Sequence, residues 1–288
     1  MKMKMMDIKG AGLAIATTAI LGLGAFVNYG FGAITGYADT MQYEAAYQQT
    51  DNTAYNLITN YKARIKSANS FSVNEIVTTE ISIGNTNESE SSITSRSTVV
   101  EGDKVHSIIA SSKSENGKEV ENVSGDMYQM RVGDINRQYT VTSEGTEVDE
   151  IPYTDCRDSY FPVTYHGNET VTFENGEYVV KGWLTQDDYK SSTAINGNTT
   201  SDDYGIGDMF KESIGNMPYE CKFNAATGDL NSMAIDMSGV MNGVVSMFKM
   251  FMDDSDAAEL DSIKANMTYK SSINIDPSLT VIIPSNLG

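Results

Sequence analysis

The side chains that could do acid–base or nucleophilic chemistry are few and scattered. Only two histidines occur, His106 and His166. His106 lies in an alternating stretch, opposite in phase to Val105 and Ile109, and His166 stands beside a turn-like Gly167-Asn168. Both read as surface histidines rather than general bases, which need a partner group and a substrate proton within hydrogen-bond reach. There is no Gly-x-Ser-x-Gly elbow, no phosphate-cradling glycine loop and no His-Glu-x-x-His. Carboxylates are abundant, but nothing singles out a pair of the kind that cleaves glycosides. The acidic run Asp253-Asp254-Ser255-Asp256, through Glu259 to Asp261, imitates a calcium loop. It lacks that loop's central glycine and closing bidentate glutamate, and reads better as an acidic helix N-terminus. Asp202-Asp203 is less specific still. Cys156 and Cys221 lack the four-ligand spacing of a zinc site. They read either as a disulfide, which suits an oxidising compartment, or as two free buried thiols. No catalytic residue, metal ligand or cofactor is therefore assigned, and a non-enzyme is expected.

A different chemistry is suggested by residues 240–252. Val240-Met241-Asn242-Gly243-Val244-Val245-Ser246-Met247-Phe248-Lys249-Met250-Phe251-Met252 is apolar on nearly all sides and too short to span a bilayer. It reads as a helix covering a sheet. Its methionines and phenylalanines make a soft surface, suited either to an ordinary core or to the wall of an apolar cavity. In the second case Met241, Val244, Met247, Phe248 and Phe251 would line the cavity, with Met237 and Met267 from the flanking strands.

The elements that would position this helix are β-strands. Residues 41–68 come first, with Tyr43, Tyr47, Ala54, Ile58, Tyr61, Ile65 and Ala68 at spacings near three and four, the mark of an amphipathic helix. After Ser70 the period drops to two. Phe71, Val73, Val77, Ile81 and Ile83 share one face of a long strand, and Ser72, Asn74, Thr78, Glu80 and Ser82 the other. Glu75 and Ile76 interrupt the alternation, which predicts a bulge there. Alternation resumes around Glu101-Gly102-Asp103, in Tyr128 to Val132, in Tyr139 to Val141, in Val171 to Trp183, and in Met233 to Met237. Asn175-Gly176 and, more weakly, Asn116-Gly117 predict tight hairpins. Ala265 to Ile275 forms the last strand, ended by Asp276-Pro277. The stretch 191–208 reads as a long polar loop. Such alternation means one wet face and one buried face, on a sheet that must curl or be covered.

The N-terminus sets the compartment. Lys2, Lys4 and Lys9 precede an uncharged apolar run from Ala11 to Val27, which softens towards Gly36-Tyr37-Ala38. This is the layout of a secretory signal cleaved after Ala38, and the run is also long enough for an uncleaved membrane anchor. No cysteine lies nearby to carry a lipid. The full chain of 288 residues has a formal charge of −19, which keeps an exported domain soluble and argues against nucleic-acid binding. Sequons at Asn87, Asn122, Asn168, Asn198 and Asn266 mark exposed positions.

The helix over 53–67, the long strand after it, the hairpins, the turn Asn224 to Leu230 and the ending Ile275 to Pro284 together resemble the LolA/LppX-like half-barrel proteins of bacterial envelopes. The resemblance implies a curved antiparallel sheet around a helical lid, with an apolar cavity for lipids or acyl chains. The expected fold is α+β and mostly antiparallel β: a curved sheet or half-barrel with an N-terminal helix and a Met-rich helix on the inner face. Residues 1–38 are expected to be a signal peptide or signal-anchor, and 39–288 one extracytoplasmic β-rich domain. The expected function is non-catalytic binding of a lipid-like ligand, with a membrane tether if the N-terminus is uncleaved. The alternatives are a structural or adhesive surface module with a packed core and, third, an extracellular hydrolase.

Overall fold

The computed structural model describes residues 53–84, 89–153, 155, 157–185, 188, 215–249 and 262–287. The N-terminal segment, Cys156, the expected loop at 191–208 and the acidic run at 253–261 lie outside the described residues.

Helix α1, Thr53–Ser67, forms where Ala54, Ile58, Tyr61 and Ile65 align on one side, and all four are buried. Arg64 and Lys66 stand in its last turn, where cations suit the negative end of the helix dipole. Arg64 also donates to Asp229, tying the helix to the turn before Leu230.

Eleven strands follow: β1 Ser70–Ile83, β2 Ser89–Glu101, β3 Lys104–Glu115, β4 Lys118–Val132, β5 Ile135–Thr142, β6 Gly145–Pro152, β7 Thr170–Glu174, β8 Glu177–Leu184, β9 Met217–Asn224, β10 Leu230–Asp236 and β11 Ile263–Ile275. Helix α2, Ser238–Lys249, interrupts the last two. All strands join one antiparallel sheet in the order β6-β5-β4-β3-β2-β1-β11-β10-β9-β8-β7. The sheet is curved and unclosed, as expected for a half-barrel. Two meanders thus meet at the β1–β11 ladder, each running outward to an edge that is unpaired among the described residues.

The connection from β6 to β7 joins those opposite edges. Ten strand spacings would separate them by about 48 Å in a flat sheet. Residues 153–169 could span roughly 56–61 Å at full stretch. Part of that connection is instead wound into a 3-10 turn at Arg157–Tyr160, so curvature of the sheet shortens the path. On its way it places Tyr160, Phe161 and Val163 in the core.

Both Asn-Gly hairpins are observed. Asn116 and Gly117 have φ of 50° and 74°, and Asn175 and Gly176 have φ of 52° and 82°. Two successive positive φ values make the turn twist match the strands, and asparagine and glycine bear that backbone at least cost. Another glycine matters for packing: a Cβ at Gly182 would fall 2.7 Å from the Tyr219 hydroxyl, so the end of that ring can reach β8 because no side chain is there.

The expected bulge at Glu75-Ile76 is absent. The β1–β11 ladder runs without a shift from Phe71↔Ile275 to Ile83↔Ile263. Glu75 keeps the inward phase and Ile76 the outward one, at 45 % exposure. The register holds because Glu75 finds partners inside, in Arg96 and Tyr269.

Candidate ligand-binding face

The inner face is the one that carries α1. Its half formed by β8–β11 is apolar. Val180, Leu184, Met217, Cys221, Phe223, Met233, Ile235, Met267 and Ile273 are buried there with the α1 side chains. Tyr61 meets Phe161 and Phe223 edge-on, at centroid separations of 5.2 and 5.8 Å, and Tyr160 meets Phe71 at 5.5 Å. Edge-on packing sets the positive rim of one ring against the negative face of the next. The Cys221 thiol is free and fully buried, and burial pushes it well above the usual thiol range. It lies between Tyr219 and Phe223 on β9, and Cys156, its partner in the disulfide reading, is outside the described residues.

Helix α2 covers another part of the same face. It begins one residue after β10 and packs on β11. Asp236 Oδ1 accepts from Ser238 N at 2.9 Å, a local turn that starts the helix. Met237 N donates to Met267 O at 2.8 Å, and Met267 N donates to Ser238 Oγ at 3.2 Å. These bonds tie the foot of α2 to the sheet. Of the expected ligand residues, Met237 and Met267 are thus brought together, exposed by only 2 % and 1 %. Val245 is buried on α2 at 8 %. Met241, Val244, Met247 and Phe248 belong to α2, but their side chains lie outside the described residues, as does all of Phe251.

Beyond β1 the inner face turns polar. Glu75 stands opposite Arg96 of β2 and Ser271 of β11. Arg96 Nε donates to Glu75 Oε2 at 2.5 Å, and the Tyr269 hydroxyl donates to Glu75 Oε1 at 2.9 Å. The Glu75 and Arg96 side chains are only 3 % and 5 % exposed. Burial works against the charge on Arg96, but Glu75 more than offsets it and holds the guanidinium ionised. Burial, reinforced by the Glu75 carboxylate, raises the Tyr269 hydroxyl well above its usual range. Next to this group, Thr98 and Ser107 hydroxyls pair at 2.8 Å, and those of Thr94 and Ser111 at 2.9 Å. Further along, Lys113 Nζ sits 3.2 Å from Glu90 and 3.3 Å from Glu115.

Of these polar residues, all but Glu75 went unmarked in the sequence. The one available signal was Glu75, a carboxylate in the inward phase of an otherwise apolar alternation. Locating Arg96, Glu90 and Lys113 requires the register of β2 and β3, which no short-range pattern supplies.

The histidines sit on other surfaces. His106 Nε2 is 2.8 Å from Asp126 and its ring stacks on Tyr128 at 4.4 Å, on the outer face. His166 Nε2 is 2.8 Å from Asp188, whose same oxygen accepts from the backbone and hydroxyl of Thr185. Neither pair has a serine, threonine or cysteine nucleophile placed against its ring by a hydrogen bond among the described residues. No group of three metal-ligating side chains occurs among the described residues. No helix there is long and apolar enough to cross a membrane.

No protein-family model matches the chain, and neither does any curated protein. Among solved structures it is similar to the crystal structure of a DUF1329 family protein from Desulfovibrio piger, at 10 % identity. That likeness covers 80 % of this chain and 96 % of the other, with a TM-score of 0.27, too slight to carry an argument.

Proposed function

We propose that this chain is a non-catalytic, extracytoplasmic binding protein for an apolar, lipid-like ligand, held between the inner face of the sheet and α2. The observation behind this reading is the placement of α2. It leaves β10 after a single residue and lies over β11, near Met237, Ala265 and Met267, while α1 and the 157–163 segment fill the other apolar part of the face. A helix that packs on the sheet through its foot can form one wall of a ligand site. Burial of acyl methylenes would supply about 0.8 kcal/mol each, and methionine adapts to chains of varying shape. Half-barrel envelope proteins of the LolA/LppX-like kind work in this manner, and the curved, unclosed sheet suits that likeness. The apolar N-terminal run gives the export route and, if retained, the membrane tether.

The aromatic packing of Tyr61, Phe161 and Phe223 favours the second reading, a surface module with a closed core, since that part of the face is filled by the chain itself. Native mass spectrometry with solvent extraction, on protein from its own host, separates the two. An acyl-bearing molecule bound near one per chain is expected. Protein that is lipid-free as isolated and that takes up no added acyl ligand would leave only the module.

A further inference from the structure

We propose that β2 and β3 carry a headgroup site built around Glu90, for an amphipathic ligand whose headgroup bears a primary ammonium. The inference rests on the apolar-ligand reading above and adds the polar end of that ligand.

Register puts the two ends side by side. Ala265, Ile81, Glu90 and Glu115 form one row across β11, β1, β2 and β3 of the inner face. Met267, Thr79, Ser92 and Lys113 form the next. Over three strand spacings, about 14 Å, the face passes from the methionine-lined part near α2 to a charged and hydroxyl-bearing part. One ligand lying along these rows would meet apolar side chains first and then Glu90.

Glu90 is the group that still wants a donor. It is 4 % exposed, and its Oε2 has no hydrogen-bond partner among the described residues. Its ion-pair partner Lys113 is shared with Glu115, so one ammonium faces two carboxylates. The nearby Glu75 differs: Arg96 and Tyr269 satisfy both of its oxygens. A buried carboxylate left short of donors is costly, and a charge-assisted hydrogen bond from a ligand would relieve that cost. Burial raises the Glu90 carboxyl above the ordinary range, as expected of an under-compensated acid. Excess negative charge selects a cationic donor over an anionic headgroup.

Three single-chain amphiphiles of equal alkyl length, ending in ammonium, hydroxyl or carboxylate, would be titrated calorimetrically into the full chain at physiological salt. The ammonium form is expected to bind about tenfold tighter than the hydroxyl form, a charge-assisted bond's worth. E90Q should erase that preference, with hydroxyl binding kept. E119Q removes the same charge from an exposed position of β4 and should keep the preference, which separates the site from the general acidity of the chain. Should E90Q not fold, K113M serves instead and should sharpen the preference. Equal ammonium and hydroxyl affinities, a preference that survives E90Q, or no change in K113M would overturn the headgroup site while leaving apolar binding standing. Failure of all three amphiphiles to bind would overturn both.

Discussion

On the inner face, β8–β11 present Tyr219, Cys221, Phe223, Met233 and Met267, while β2 and β3 present Glu90, Ser92, Thr98, Ser107 and Lys113. The two regions belong to one sheet and share the strand β1, yet they are held differently. The first is roofed by α1 and held by non-directional burial of large side chains. The second is held by pairs that fit in one register only: Glu75 with Arg96, Thr98 with Ser107, Thr94 with Ser111. A slip of one residue would turn all of these outward. Long serine- and threonine-rich strands would otherwise pair in many registers, so the buried pairs fix what hydrophobic pattern alone leaves open. Burial should then supply most of the stability and the polar pairs the alignment, a contrast that single replacements test.

Replacing Phe161 with alanine tests the apolar side and should show the largest effect. The ring is fully buried against Tyr61 and Phe223, so its loss should cost about 3–5 kcal/mol in urea unfolding. Val148→Ala on β6, where the side chain is 54 % exposed, should cost under about 0.5 kcal/mol. Similar losses from both would erase the contrast.

Arg96→Ala tests the polar side. It leaves Glu75 buried with only Tyr269 as donor, for an expected loss of about 3 kcal/mol. Replacing Glu75 and Arg96 together by leucine should recover most of that loss, because an apolar pair of similar volume needs no compensating charge. A double replacement as damaging as the single one would mean that the pair stabilises outright rather than setting register.

These regions also differ in how far they could be read from sequence. α1, the length of β1 and the Asn-Gly hairpins were legible, because each rests on a local period or on a turn that only certain residues tolerate. The polar region was not. Ser92, Thr94, Thr98 and Ser107 look like solvent-facing strand residues until the register turns them inward, and the Glu75 interruption reads as a bulge until Arg96 is known to lie opposite. Met237 and Met267 continue the apolar phase of their strands, and both are buried. The side chains of α2 that would complete their site lie beyond what is described.

A smaller, pH-dependent effect belongs to Glu90. Burial raises its folded-state pKa above the unfolded value, so the folded chain holds that proton more tightly. The resulting stability is complete below the unfolded carboxyl range and is lost as pH rises through the raised value. E90Q should remove this component, flattening the stability profile on the acidic side of neutrality. An unchanged profile would place the Glu90 carboxylate in water.

The smallest effect is expected at Arg64. Its pair with Asp229 holds that carboxyl below the usual range, through the Thr227 hydroxyl first and Arg64 second. Both side chains are more than 40 % exposed, so Arg64→Ala should cost no more than about 1 kcal/mol, and less at high salt.

The proposed site for an apolar ligand lies under α2, beside Ala265 and Met267. Titrating a fluorescent fatty-acyl probe into the wild type and into Ala265→Phe tests it most directly, with circular dichroism to confirm that the variant keeps its sheet. Saturable binding near one probe per wild-type chain is expected, and binding weakened at least tenfold in Ala265→Phe. No saturable binding to the wild type, or equal binding to a folded Ala265→Phe, would contradict it.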